Sequence, residues 1–244
     1  MKQRPPFSRF WELYRMGGLS PAIQSIFHAE NAQQIAYLRS LLKDKRKHDL
    51  HHMPLHQLQI VVFDLETTGF FPEQGDEIIA IGAVALSGNR FLPDETFYSL
   101  VHPKRLIPPP VEQLTAITNE MVSEAPDMAD VLLRFFRFVK RRILIAHGAG
   151  HDGKFLNAAL RKTFRASLTH RLLDTMMIGC KLYPDFRHYT LDDWLRFYNH
   201  ENIGRHHALN DSLMTAKLWI SLVDDMRSRN LHTLGDLYSF LGRS

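Results

Sequence analysis

A chain of 244 residues with 45% apolar and 23% charged side chains can build one full domain plus an appendage, which excludes a disordered or fibrous protein. Its longest apolar stretch, Ile78 to Leu86, is too short to cross a bilayer, and the lone Cys180 excludes an internal disulfide or a thiolate cluster. The net charge of +4 is uneven: residues 1–55 carry +5 and the remainder −1.

The opening residues, Met1 to Pro6, do not read as an apolar leader, so the expected compartment is the cytosol, with no membrane partner. Phe7, Phe10, Trp11 and Tyr14 recur at helical spacing until Gly17 and Gly18, and Ser20 before Pro21 is a helix-start pattern. Ile35, Leu38, Leu41 and Leu42 form an apolar stripe on a further helix. That stripe needs a surface to bury against, on the main domain or on a protein partner. The run Lys43, Lys45, Arg46 and Lys47 fits a nucleic-acid contact and the solvated end of a helix equally well. His48, His51, His52 and His56 around Pro54 read as a polar linker rather than a metal site, because no fixed partner carboxylates accompany them. The expected organisation is a helical basic arm over 1–55, a main domain over 56–226 and a short tail over 227–244.

From Gln59 the pattern alternates. Ile60 to Phe63 is a continuous apolar run, as in a central strand covered on both faces. Ile78 to Leu86 and Phe97 to Val101 read as the second and third strands of an antiparallel meander. After Pro108, Pro109 and Pro110 come a short helical turn and a helix over Asp127 to Val139. Ile143 to Ala146 is a buried strand, followed by a helix from about Gly153 to Arg161, a strand at Leu172 and Leu173, and another helix. Thr190 opens one more, with Asp193 placed for a capping box, and Ala208 to about Met226 is the last long helix. This order predicts an α/β fold: a mixed sheet with three antiparallel strands followed by parallel strands, with helices on both faces.

Asp64 and Glu66 interrupt the first strand near its end. Strand geometry puts them on one face, roughly 7 Å apart along it. Like charges about 4 Å apart repel by about 4 kcal/mol at an effective dielectric near 20, and a divalent cation would remove that cost. Taken alone, the pair fits equally well two acids reaching solvent at a strand end.

The segment Phe63 to Gly69 resembles the first motif of the DEDDh (DnaQ-like) exonucleases, the family that includes the proofreading epsilon subunit of bacterial DNA polymerase III. Two further segments match that family in order. Ile145 to Asp152 is similar to its second motif, and His206 to Asp211, a His five positions before an Asp, to its third. Leu114 to Thr118 resembles a substrate-side loop, and Asp174 with Thr175 a recurrent strand end. The resemblance runs from about Ile60 to Val223 and implies a ribonuclease H-like sheet.

It also implies a site. Asp64, Glu66, Asp152 and Asp211 are the implied ligands of two divalent metal ions, Mg²⁺ or Mn²⁺, whose charge cancels that of the four acids. His206 is the implied general base, with an imidazole that titrates near neutrality when unperturbed. His207 occupies the place of the tyrosine in the sister DEDDy class, which speaks against the tyrosine variant, and His207 is expected to be exposed. His147 is read as structural or substrate-side, and Thr67 as the contact for the terminal nucleotide.

Gly148 and His151 depart from the Asn and Phe of the second motif, and Ala116 replaces a common Gly. These changes alter the expected geometry of the loop without removing a ligand. The expected function is a metal-dependent 3′→5′ exonuclease that releases nucleoside 5′-monophosphates from single-stranded DNA in proofreading, repair or clean-up. The alternatives are an RNA-trimming exoribonuclease and a silent nucleic-acid-binding scaffold.

Overall fold

The computed structural model describes residues 33, 35–42 and 50–242. The chain divides into two compact units, Met1–Ser40 and Leu41–Ser244. Residues 35–42 are helical, and Leu38 and Leu42 are buried, as the apolar stripe predicts. The expectations for Phe7 to Pro21, for the run Lys43 to Lys47 and for His48 lie outside the described residues.

The second unit is built on a five-stranded sheet in the order β3-β2-β1-β4-β5. β1 (Gln59–Thr67), β2 (Ile78–Ser87) and β3 (Arg90–Leu100) form the antiparallel meander, and β4 (Ile143–Ala146) and β5 (Leu172–Asp174) continue it in parallel with β1. The third strand begins at Arg90, seven residues before its expected start. Pro93, Asp94 and Glu95 hide its alternation, and a register shift between Val84 and Leu86 lets β2 carry it. Central β1 is covered on both sides, which explains its unbroken apolar run. Ile60 and Val62 join the core beneath the last long helix, whereas the Phe63 ring meets Phe135 on the opposite face, 5.9 Å between centroids.

The helices in chain order are α1 (Pro109–Thr115), α2 (Asn119–Ser123), α3 (Met128–Val139), α4 (Ala149–Phe164), α5 (Thr175–Leu182), α6 (Leu191–Phe197), α7 (Ala208–Ser228) and α8 (Leu234–Leu241). α6 has the capping box expected from Thr190 and Asp193. α4 begins four residues earlier than its sequence suggests, because its cap is not local. The Asp174 carboxylate, across the sheet at the end of β5, accepts the N–H groups of Gly148 (3.0 Å) and Ala149 (2.9 Å). The same carboxylate caps α5 through the N–H of Met176.

The segment read as a polar linker is packed instead. Leu50–His52 and Leu55–Gln57 are 3₁₀ turns, Leu55 is fully buried, and its N–H donates to His232 O at 2.9 Å. Leu234 N–H returns a bond to Met53 O, so α8, within the expected tail, closes against this segment. Leu50, Met53 and Leu55, scattered among histidines, carry too weak a pattern to reveal this pairing in sequence. No described helix is long and apolar enough to cross a membrane.

Candidate metal centre

β1 delivers two of the four acids. Its pairing with β4 ends at Val62, so beyond that point one edge of β1 is open to side chains from α4. On the other edge Asp64 pairs with Gly82 and Glu66 with Ala80, with a register shift just after Glu66. Such irregularities re-aim side chains at the ends of strands. α7 delivers the third acid. Asp211 lies in its first turn, and the helix reaches the sheet only because residue 82 lacks a side chain. A Cβ at Gly82 would stand 2.2 Å from the Ala208 carbonyl carbon and from Leu209 N. Ser212 Oγ fixes the approach, 3.0 Å from Gly82 O and 2.7 Å from Ala208 O.

One consequence is measurable. Gly82→Ala is expected to cost about 1–3 kcal/mol, as overpacking does. It should also reduce the thermal stabilisation given by Mn²⁺, since Asp211 moves with the displaced helix. Melting curves with and without Mn²⁺ test both, and an unaltered Mn²⁺ shift would separate Gly82 from the site.

Ligand oxygens of Asp64, Glu66 and Asp211 lie within 4.8 Å of one another. Asp152, buried in the first turn of α4, stands outside that trio, yet it is the largest single charge acting on Asp64. Removal from water pushes the Asp64 carboxyl well above the usual carboxylate range, and Asp152, Asp211 and Glu66 add to the shift. Burial pushes Glu66 up to about 8, with Asp211 adding to it. Burial likewise pushes Asp152 up to about 7, although its own N–H and that of Leu65 hold it back.

These raised values set a pH dependence. Over the interval between the ordinary carboxylate range and 7–8, the folded protein keeps protons that the unfolded chain has lost. That contribution to stability is therefore full at low pH and is lost as pH rises through 7–8. Above about pH 6.5, where ordinary histidines have discharged, the melting temperature in chelator is expected to fall with pH. A divalent cation should flatten that fall. A melting temperature in chelator that rises over the same interval would contradict a proton-holding cluster.

Glu66 Oε1 and Asp211 Oδ1 are buried with no hydrogen-bond partner. Each such orphan costs about 1–3 kcal/mol. Hard carboxylate oxygens, unpartnered and facing like charges, are the donor set that Mg²⁺ or Mn²⁺ takes. The acidic cluster therefore fits a divalent metal site.

The other anticipated residues fall around it. His206 directly precedes the N-cap of α7, has a left-handed backbone (φ +61°), and donates its N–H to Asp211 Oδ2 at 3.2 Å. Thr67 Oγ1 donates to Gly69 O at 2.7 Å in the turn after β1. At His147, Nε2 donates to Tyr189 O at 2.9 Å, Nδ1 lies 3.0 Å from Thr175 Oγ1, and burial lowers its pKa. His207 is not the exposed side chain expected. It is half-buried, its ring stacks on Tyr98 at 4.6 Å and 15°, and its Nδ1 is buried without a partner. Tyr98 lies two strands away in sequence, so no local pattern reveals this contact.

The departures in the second motif take up defined positions. Gly148 has φ +72°, a left-handed conformation that Gly and Asn share more readily than other residues. His151 joins an aromatic row between Phe70 (6.0 Å) and Phe155 (4.8 Å), keeping a ring where a Phe was expected. Ala116 also adopts a left-handed conformation (φ +56°), at the end of α1.

Sequence reasoning missed Arg205. Its guanidinium pairs through Nη1 with Asp211 Oδ2 and through Nε with Asp192 Oδ1 at 2.6 Å. An arginine beside two histidines gives no sign of which acids it will meet.

Comparison with known proteins decides the family. The RNase T profile, described as Exonuclease, matches residues 61–219. The chain belongs to the RNase T/DEDDh exonuclease family. The DNA polymerase III subunit epsilon-like protein of Rhodobacter capsulatus is 34% identical over 205 residues, 83% of this chain but 29% of that protein. The DNA polymerase III subunit epsilon of Aquifex aeolicus is 32% identical over 179 residues, covering 73% of this chain and 86% of that protein. Exonuclease X in complex with 5′ overhanging duplex DNA is similar in fold, with a TM-score of 0.57 and 23% identity, covering 75% of this chain and 99% of that one.

Proposed function

We propose that this chain is a metal-dependent 3′→5′ exonuclease that releases nucleoside 5′-monophosphates from single-stranded 3′ ends, with DNA preferred. The observation that carries the reading is the convergence of Asp64, Glu66 and Asp211 oxygens within 4.8 Å, with Asp152 acting on the same point, in a chain of this family. A binding scaffold for a polyanion has no use for four acids gathered where the phosphates would lie. The epsilon-type relatives favour DNA.

Asp64, Glu66, Asp152 and Asp211 would hold two divalent ions. Bound there, such ions would supply Lewis-acid stabilisation of the charge developing on the phosphodiester. His206 takes a proton from the attacking water, and the Asp211 contact with its N–H fixes where its ring starts. Thr67 has committed its hydroxyl proton to Gly69 O, so its oxygen presents lone pairs to the 3′-hydroxyl of the terminal nucleotide. The arm over 1–55 would meet a protein partner through its exposed side, and the nuclease acts as a stand-alone repair or clean-up enzyme.

A 5′-labelled single-stranded DNA oligomer and its matched RNA, each with Mg²⁺ and with chelator, test the reading. Stepwise shortening of the DNA, abolished by chelator, is the expected result. Faster loss of the RNA would reassign the substrate. No metal-dependent release from either would leave a scaffold.

A further inference from the structure

Among the described residues, Arg205 is the one whose positive charge opposes the raised pKa of both Asp64 and Glu66, and its guanidinium touches Asp211 directly. It is largely buried, and Asp211 is almost wholly so. The second anchor, Asp192, opens α6 outside the acidic trio, and its Oδ1 also accepts from Asn202 Nδ2 at 2.9 Å. The Asp211 oxygen that takes Arg205 also takes the N–H of His206. Asp211 Oδ1 is unpartnered, and a metal ion seated there brings a second positive charge to the same carboxylate, which opposes the hold of both donors on Oδ2.

We propose that Arg205 is a positioning residue that acts as an internal counter-ion of the acidic cluster. It holds Asp211 and the loop bearing His206 in the metal-free protein and yields Asp211 when divalent ions arrive. Asp192 is the acid onto which it withdraws. Arg205 thereby sets metal affinity, and the base-bearing loop is released by the same exchange. The inference rests on the metal site proposed above.

The test is Mn²⁺ binding by the full chain without nucleic acid, followed by electron paramagnetic resonance of the free ion. Arg205→Gln is expected to bind Mn²⁺ about tenfold more tightly, because a competing charge has gone. A merely structural arginine would loosen the loop and weaken binding instead. Asp192→Asn removes the alternative anchor, ties Arg205 more closely to Asp211 and should weaken binding severalfold. In the double variant the Asp192 effect should vanish, since Asp192 acts only through Arg205.

Tighter binding in Arg205→Gln, together with loss of the Asp192 effect in the double variant, establishes the role. Unchanged or weaker binding in Arg205→Gln overturns it, as does an Asp192 effect that persists without Arg205. If Arg205→Gln does not fold, Asp192→Asn decides alone, and unweakened binding rejects the exchange. Wild-type protein that binds no Mn²⁺ overturns the metal site itself, which the other failures leave standing.

Discussion

Asp64→Asn is expected to abolish nuclease activity, by at least about 10³-fold, while making the metal-free protein more stable. Both halves follow from one fact. Asp64 is the acid whose ionisation is opposed by burial and by three neighbouring carboxylates at once. An amide of the same shape keeps the packing and removes the charge, so in chelator near pH 8 the variant should gain about 0.5–2 kcal/mol, a usual return for relieving a functional liability. The same change takes away an anionic oxygen from a trio that lies within 4.8 Å, so the melting shift caused by Mn²⁺ should largely disappear. Paired melting curves and an oligomer assay read both effects. A variant that is less stable in chelator yet keeps its Mn²⁺ shift would show that Asp64 belongs to the fold rather than to the ion site.

His206→Ala carries the second large effect with the opposite signature. Loss of a positioned base lowers turnover by about 10²- to 10⁴-fold. The side chain is outside the acidic trio, and the contact it makes with Asp211 is through its backbone N–H, which alanine retains. Mn²⁺ binding should therefore survive. The left-handed φ of +61° adds a small cost, because alanine tolerates that conformation less well than histidine, so a modest drop in melting temperature is also expected. Near-normal turnover across neutral pH would mean that the proton leaves by another route.

The parts of this molecule legible in sequence are those encoded locally. The apolar run of β1, the two acids that break it, the capping box at Thr190 and the His-to-Asp spacing before α7 each depend on residues within a few positions of one another. The illegible parts depend on partners far apart in the chain. Asp174 caps a helix 25 residues upstream, and His207 stacks on a tyrosine from β3. The early start of α4 is of the same kind, because Gly148 at its N-cap offers no side chain to signal it.

The Asp174 carboxylate clasps the first turn of α4 and that of α5 to the end of one strand. The depth at which Asp152 enters the cluster is thus inherited from an acid in β5, and the connection between α4 and β5, residues 165–171, carries none of that information. A change of length there would first disturb its own contacts, the Leu168 N–H on Asn157 Oδ1 and the His170 ring on Phe136, while the Asp174 clasp still set the entry of Asp152.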